Sequence, residues 1–174
     1  MFQLVTERLV LRPHDESDAE FMVALNTDPE VTRFTPDGPL AGPEEAMAIV
    51  RSLQRQFQDH RMGRFIVRHG ESSERMGWCG LKRTSGEKSA DLGYRFMRRW
   101  WNQGFATEAA QACIRYGFDE LSLEQLTAEV DLANARSLRV LEKLGFRLRE
   151  QDDATAIWEL WAMPTPQAAA PLAR

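Results

Sequence analysis

The chain has 174 residues, of which 43% are hydrophobic and 28% are charged, and its formal net charge is -4. A chain of this length can bury roughly 70% of its unfolded surface, which is enough for one domain with a full core. The negative charge argues against a nucleic-acid binder that relies on bulk electrostatics. An anion site in this protein therefore needs a local concentration of hydrogen-bond donors and cations.

The cysteines, the histidines and the apolar runs argue against a disulfide-bonded, a metal-binding or a membrane-spanning protein. Cys79 and Cys113 stand in apolar surroundings without short spacing, which is typical of buried thiols in a reduced protein without disulfides. His14, His60 and His69 lack metal-ligand spacing, so we expect no metal. No apolar run approaches the ~20 residues that span a bilayer, and the first residues lack a signal pattern. We therefore expect a cytoplasmic protein with neither a membrane nor a nucleic acid as partner.

The first third of the chain predicts one strand followed by two helices. Apolar and β-favouring residues predict a strand over residues 2–12. The first helix follows, with Ser17 or Asp18 as its N-cap. A loop rich in proline and glycine over residues 36–43 leads to a second helix over residues 44–60.

The rest of the chain predicts a mixed sheet with two more helices. Polar turns separate three strands of an antiparallel meander, and alternation of apolar and polar residues marks later strands. A helix with small residues on one face follows Gly104, and Asn134 caps another that Gly145 ends in a left-handed conformation. The expected strands are residues 64–68, 76–82, 90–97, 125–132, 146–150 and 155–163. We expect one domain over residues 1–163 and a disordered tail, rich in proline and alanine, over residues 164–174.

Residues 99–110 (RWWNQGFATEAA) form a basic and aromatic run that turns through Gly104 into a helix. Glycine lets the backbone approach a ligand closely, and the free N–H groups of the first helical turn favour an anion. Arg98 and Arg99, just upstream, add positive charge. An ordinary connection between a strand and a helix has the same local pattern, so this segment alone leaves both interpretations open.

The order of elements resembles that of the GNAT N-acyltransferase superfamily over almost the whole chain. The resemblance is carried by residues 90–94 (ADLGY), 100–109 (WWNQGFATEA), 134–137 (NARS) and 142–146 (EKLGF). These segments are similar to the branch of ribosomal-protein N-terminal acetyltransferases, the RimJ/RimL-like proteins. The resemblance implies an α/β (α+β) fold, with a mixed, mostly antiparallel central sheet of about six to seven strands flanked by helices. It also implies acetyl-CoA as cosubstrate.

By resemblance, the backbone of Phe96 and Met97 would pair with the pantetheine arm as an added strand. The pyrophosphate would be held by Arg98, Gln103, Gly104, Phe105, Ala106 and Thr107. The turn in the superfamily begins with Gln or Arg, where this chain has Trp101. Because backbone N–H groups make most phosphate contacts, this departure leaves cofactor binding intact. Trp100 and Trp101 are interpreted as core or lid aromatics.

Asn134 and Ser137 have two interpretations. Propensity alone makes Asn134 an N-cap and Ser137 a polar residue of the first helical turn. In similar proteins the asparagine reaches the pantetheine amide, and the serine lies where a hydroxyl can protonate the departing thiolate. Many GNAT enzymes use a tyrosine for this step, but neither Tyr94 nor Tyr116 follows the helix that begins at Asn134. Ser137 is therefore the expected replacement.

Asp91 matches a position where related enzymes often carry a glutamate as general base. It either acts through a water molecule or supports the site structurally, and both interpretations stay open. An α-amine, with a pKa of about 7.7 to 8.0, needs a base less than a lysine, with a pKa of about 10.4. We therefore predict direct transfer of acetyl to a peptide or protein N-terminal α-amine by a monomer or homodimer. The alternatives are a small-molecule acceptor (a polyamine, amino acid or aminoglycoside) and a non-catalytic acyl-CoA sensor.

Overall fold

The computed structural model describes residues 2–35, 38–84, 86 and 88–162. Its strands are β1 (Leu4–Val5), β2 (Leu9–Arg12), β3 (Arg64–His69), β4 (Arg75–Arg83), β5 (Ser89–Phe96), β6 (Gln125–Asp131), β7 (Arg147–Gln151) and β8 (Thr155–Trp161). Its helices are α1 (Ala19–Thr27), α2 (Pro29–Thr32), α3 (Pro43–His60), α4 (Phe105–Arg115) and α5 (Ala135–Lys143). The predicted tail from residue 164, and residues 36 and 37 of the predicted loop, lie outside the described residues.

In the described part of the chain the strands form one eight-stranded sheet in the order β1-β2-β3-β4-β5-β6-β8-β7. Every neighbouring pair is antiparallel except β5 and β6, which run parallel from Ser89 opposite Gln125 to Asp91 opposite Thr127. Beyond Asp91 the two strands part, because β5 continues along β4 while β6 stays paired with β8. We call this gap the fork. The mixed, mostly antiparallel sheet flanked by helices confirms the predicted fold class.

The predicted strand over residues 2–12 is wrong, because the segment forms a hairpin of β1 and β2. Thr6 closes the turn: its hydroxyl accepts a hydrogen bond from the Leu9 N–H at 3.0 Å, and its own N–H donates to the Leu9 carbonyl at 3.0 Å. The additional strand explains why the sheet has eight strands rather than six to seven. The turn also directs Arg8 towards α4.

Of the two predicted N-caps, Ser17 and Asp18, Asp18 lies at the N-cap position of α1, but its side chain makes no capping hydrogen bond there. Asp15 caps the 3-10 turn that precedes α1, and its carboxylate accepts from the Ser17 N–H at 2.9 Å. The Asp18 side chain is fully buried and accepts from both Arg12 Nη atoms and from Arg75 Nε, each at 2.8 Å. A buried carboxylate needs such cationic partners to offset its lost hydration, so Asp18 is committed to this ion-pair network.

The predicted helix after Gly104 begins at Phe105 and changes its helical form towards its end. Regular α4 ends at Arg115, and a π-helical turn, Tyr116–Glu120, takes its place. Small residues of α4, Ala109, Ala110 and Cys113, are fully buried against the sheet, as the predicted small-residue face requires. Cys79 of β4 is equally buried, and its Sγ lies 3.8 Å from that of Cys113 with both thiols free.

Two layers of helices cover opposite faces of the sheet. The α4 face carries Leu81, Leu92 and Leu126, which pack with α4 in one buried cluster. The α1 face carries Ile66 and Trp78, which pack with α1 and α3 in a second cluster. None of the helices among the described residues is long and apolar enough to cross a bilayer.

Candidate active site

A cavity of about 310 Å³ opens at the fork, between the end of β5, the Gly104 turn and α5. We call it the slot. Of the residues that the sequence analysis assigned to the site, those that line the slot are Phe96, Gly104, Phe105, Ala106, Thr107, Asn134 and Ser137. Among the described residues, no group of three or more histidine, cysteine, aspartate or glutamate side chains is placed to hold a metal ion.

Met97, Arg98, Gln103 and Asp91 do not line the slot. The Arg98 side chain differs from expectation, because its Nε lies 2.6 Å from Asp28 Oδ2 and the guanidinium is committed to that ion pair. The Gln103 side chain donates to the Arg99 carbonyl at 2.7 Å. These side chains are therefore not directed at a ligand in the slot.

The backbone of Phe96 and Met97 is partly committed as well. The Phe96 carbonyl accepts from Trp101 Nε1 at 2.7 Å, and the Met97 N–H donates to the Met76 carbonyl at 2.9 Å. A carbonyl has a second lone pair, whereas a backbone N–H has one proton to donate. Of these two groups, the Phe96 carbonyl alone can accept a further partner.

Gly104 occupies the left-handed region, with φ at +83°, and is the N-cap of α4. A Cβ at this position would lie 3.4 Å from Arg8 Nη2. The N–H groups of Phe105, Ala106 and Thr107 belong to the first helical turn, which has no acceptors within the helix. With the positive end of the helix dipole, these N–H groups form an anion site that faces the slot.

Sequence reasoning missed Arg8, which braces the Gly104 turn from the β1–β2 hairpin. Its guanidinium donates to the Gln103 carbonyl at 3.1 Å, pairs with the Glu108 carboxylate at 2.7 Å and lies 4.3 Å from the centre of the Phe105 ring. Burial raises the pKa of Glu108, but hydrogen bonds from Thr6 and from Arg8 outweigh it and hold that pKa below its ordinary value. Glu108 is thus a charged anchor for Arg8.

The slot wall opposite the Gly104 turn is the N-terminal part of α5. The Asn134 side chain accepts from the Ser137 N–H at 3.2 Å, so Asn134 is the predicted N-cap. The Arg136 guanidinium lies 4.6 Å from the centre of a Trp101 ring and links α5 to the segment before Gly104. Cationic side chains on this wall are Arg136, Arg139 and Lys143. Positive charge is therefore concentrated locally on a chain with a net negative charge.

The structure also brings Tyr94 of β5 to Ser137. The Tyr94 hydroxyl donates to the Ser137 carbonyl at 3.4 Å, and Tyr94 lines the slot. Burial raises the pKa of Tyr94 to about 12, so its hydroxyl is protonated at neutral pH. Tyr94 was not an expected proton donor, because it precedes the Asn134 helix in the chain. Alternation along β5 is the signal that could have found it, since Leu92, Tyr94 and Phe96 share a face.

Asp91 lies on the α1 face of the sheet, at the last paired position before the fork, and its side chain does not line the slot. Its Oδ1 is 3.6 Å from Arg64 Nη2. Burial raises the pKa of the Asp91 carboxyl, and the Arg64 charge opposes that rise. A partly buried carboxylate at the fork can hold or accept a proton on the side of the sheet away from Ser137.

Comparisons with known proteins agree with this geometry. Residues 8–147 match the acetyltransferase (GNAT) domain family. The uncharacterised N-acetyltransferase p20 of Bacillus licheniformis is 33% identical over 148 residues, which is 84% of this chain and 83% of that protein. The spermidine N(1)-acetyltransferase of Escherichia coli K12 is 27% identical over 138 residues, 78% of this chain and 71% of that enzyme.

Solved structures show the same architecture. A GNAT-family acetyltransferase from Bacillus anthracis has a TM-score of 0.81 at 25% identity, covering 92% of this chain and 98% of that one. RimL, a ribosomal L7/L12 alpha-N-protein acetyltransferase in complex with coenzyme A, has a TM-score of 0.81 at 17% identity, covering 92% and 98%. The second likeness is one of fold alone. On the family match, which spans most of the sequence, the chain belongs to the GNAT family and is an N-acetyltransferase that acts on amines.

Proposed function

We propose that this enzyme transfers acetyl from acetyl-CoA directly to the N-terminal α-amine of a peptide or protein, as a member of the RimJ/RimL-like branch. The observation that carries the proposal is the slot at the fork, with its anion site at Gly104 and its basic wall on α5. RimL, which shares the fold, is named for α-amine acetylation and was solved with coenzyme A. We further propose that residues 1–163 form the single catalytic domain.

The residues around the slot fit acetyl-CoA. The N–H groups of Phe105, Ala106 and Thr107 would bind the pyrophosphate, since no side chain at Gly104 fills that space. Arg136 and Lys143 would add positive charge for the remaining phosphate. Asn134 and the Phe96 carbonyl would hydrogen-bond the pantetheine arm, although the Met97 N–H is committed to β4. When bound, acetyl-CoA supplies the acetyl thioester.

The protein residues handle two protons in this mechanism. Asp91 would accept the proton that the amine loses, directly or through a water molecule. A hydroxyl in the slot would donate a proton to the departing sulfur. Ser137 is the donor that the resemblance implies, and Tyr94 is a second candidate because its hydroxyl reaches the same helix start and stays protonated at neutral pH. No covalent intermediate with the enzyme is needed.

We choose the acceptor by how readily its amine loses a proton. At pH 7.5 roughly a third of α-amines are neutral, against about one lysine in a thousand. A single, partly buried Asp91 suits the former better. A small amine is the second candidate, because the Escherichia coli relative is named for spermidine.

Thiol release from acetyl-CoA tests the proposal. The acceptors are peptides with free N-termini, the same peptides with acetyl-blocked N-termini and one free lysine, and spermidine and an aminoglycoside. We expect turnover with free N-termini and little with the others. Robust turnover of spermidine or the aminoglycoside, with none for free N-termini, would contradict the proposed acceptor and leave the acetyltransferase activity in place.

A further inference from the structure

We propose that Arg64 and Asp91 together recognise the acceptor as an α-aminoacyl group. In this arrangement Asp91 binds the amine, and Arg64 donates to the carbonyl oxygen one carbon away. This inference rests on the proposed function and narrows it, because it requires both groups on one acceptor. Polyamines and lysine side chains lack that carbonyl.

The register of the sheet places Arg64 at the fork. Arg64 of β3 is opposite Gly80 of β4, and Gly80 is opposite Gly93 of β5. Neither glycine has a side chain, so the Arg64 side chain can cross β4 and reach β5. A Cβ at Gly93 would lie 3.1 Å from Arg64 Nη2 and 3.2 Å from its Cζ. The guanidinium therefore lies directly over the strand that carries Asp91 and Tyr94.

Packing fixes this guanidinium. Its Cζ lies 4.4 Å from the centre of a Trp78 ring, within the range of a cation–π contact. The Arg64 side chain is 26% exposed and that of Asp91 is 29% exposed, so both are shielded yet reachable. A held and partly desolvated guanidinium binds an oxygen acceptor at lower entropic cost than a mobile one.

The N–H donors of the Arg64 guanidinium make no hydrogen bond to any of the described residues. Its ion pair with Asp91 spans 3.6 Å, which is too long for a good hydrogen bond. Arg12 shows the contrast, because it makes two bonds of 2.8 Å to the buried Asp18. An arginine whose role is structural is expected to satisfy its donors in the same way. Arg64 is instead held in place with donors available to a ligand.

The spacing of the pair matches an aminoacyl group. The amine nitrogen and carbonyl oxygen of one residue are separated by about 2.7 to 3.6 Å, as standard backbone dimensions require. Asp91 Oδ1 and Arg64 Nη2 are 3.6 Å apart. The amine can therefore donate to the carboxylate while the carbonyl accepts from the guanidinium. A second ammonium in place of the carbonyl would face a like charge, which disfavours a polyamine.

Kinetics with matched acceptors test the inference. Alaninamide and isopropylamine differ by a carboxamide in place of one methyl group, and an alanine-initiated peptide represents the proposed substrate. Rates are compared per neutral amine, because the amines have different pKa values. Arg64→Met keeps the packing on Trp78 but removes the donors, and Arg64→Lys keeps the charge without the planar donor pair. Arg51→Met is the control, since it breaks only an exposed ion pair with Glu16.

For Arg64→Met we expect KM to rise roughly 10- to 100-fold for alaninamide and the peptide, because the variant loses one charge-assisted hydrogen bond to the carbonyl oxygen. The KM values for isopropylamine and acetyl-CoA should not change, and Arg64→Lys should fall between wild type and Arg64→Met. An equal effect on all amines, or no effect on any, would overturn the inference. Should Arg64→Met fail to fold, the ratio of the two amines in Arg64→Lys decides.

The same assay separates this inference from the proposed function. If wild-type enzyme acetylates spermidine but neither alaninamide nor the peptide, the proposed function fails and the inference fails with it. If wild-type enzyme acetylates the peptide and the Arg64 variants keep the wild-type preference for alaninamide over isopropylamine, the inference alone fails.

Discussion

Arg8 should hold the Gly104 turn in the shape that binds acetyl-CoA. We expect Arg8→Met to weaken acetyl-CoA binding because it keeps an apolar stem on Phe105 and removes three interactions: the hydrogen bond to Gln103, the ion pair with Glu108 and the cation–π contact. The Arg8 side chain is 41% exposed, so solvent screens the ion pair and the hydrogen bond. Each is then worth at most about 1 kcal/mol, and the cation–π contact adds about 0.5 to 1 kcal/mol.

The free energies of these three Arg8 interactions set the expected change in affinity for acetyl-CoA. If the Gly104 turn loosens in the free variant, acetyl-CoA binding has to order the turn again, and part of the binding free energy is lost. About 1.4 kcal/mol corresponds to a tenfold higher Kd for acetyl-CoA. Glu108→Gln should weaken binding by less, because it leaves the bond from Arg8 to Gln103 possible. Calorimetric titration with acetyl-CoA measures both variants.

A truncated thioester separates this role from a general loss of structure. S-acetylpantetheine lacks the phosphates, so Arg8→Met should leave its kcat/KM within about twofold of wild type. Arg51→Met is again the control, since it removes a guanidinium that is 56% exposed and pairs with Glu16 rather than with the Gly104 turn. Unchanged affinity of Arg8→Met for acetyl-CoA, or equal losses with both thioesters, would refute the bracing role.

Three further predictions concern the turn, the proton donors and a buried histidine. Gly104→Val should abolish the thermal stabilisation by acetyl-CoA, because a branched side chain beside Arg8 at a φ of +83° distorts the turn that presents the anion site. Ser137→Ala and Tyr94→Phe should each lower kcat more than they raise KM, and the double variant should lose roughly 100-fold or more in kcat. Burial lowers the pKa of His14 from 6.5 to about 4. The free energy of unfolding should therefore decrease as the pH is lowered from 6.5 to 4. The loss should approach about 3 kcal/mol, because the unfolded chain takes up the proton first.

Each of these predictions has its own control. Gly145→Val imposes the same φ of +83° away from the Gly104 turn, so it should cost stability but not acetyl-CoA binding. Tyr94 contacts the backbone carbonyl of Ser137 and not its hydroxyl. Ser137→Ala therefore keeps the acceptor of the Tyr94 hydroxyl, and Tyr94→Phe leaves the Ser137 hydroxyl in place. An unchanged kcat in both, with chemistry limiting turnover, would return the two residues to structural roles. His14→Gln should flatten stability between pH 6.5 and 4, and a wild-type slope in that variant would assign the effect elsewhere.

Local patterns predicted much of the fold because they report burial directly. Periodicity predicted the helix now seen as Pro43–His60 to within a residue, and alternation predicted β6 equally closely. The hairpin of β1 and β2 was missed because an apolar run shows where a strand can form but not where it turns back. The capping role of Asp15 was missed for a related reason: Asp18 lies at the N-cap position of α1 as predicted, but its side chain binds Arg12 and Arg75 from other elements.

The residues that line the slot were predicted where they belong to a local backbone pattern, and contacts that depend on sheet register were missed. Gly104, Asn134 and Ser137 belong to helix starts, and a helix start has a local sequence pattern. Arg8 contacts Glu108 across 100 residues of sequence, and no local pattern reports that contact. The ion pair of Arg98 with Asp28 likewise depends on how the turn packs against α1 and α2.

The proposed base, Asp91, and one proposed acid, Tyr94, lie on the same strand, and the alternation of side chains along that strand sets their positions. Asp91 and Tyr94 are three residues apart on β5, so their side chains point to opposite faces of the sheet. The fork begins just past Asp91, where β5 has no strand partner on the side of β6. An amine held at Asp91 would lose its proton on the α1 face, and the departing sulfur would gain one from Tyr94 or Ser137 on the α4 face. In the proposed mechanism the fork would let both steps reach one thioester, while the sheet would keep the acid and the base apart.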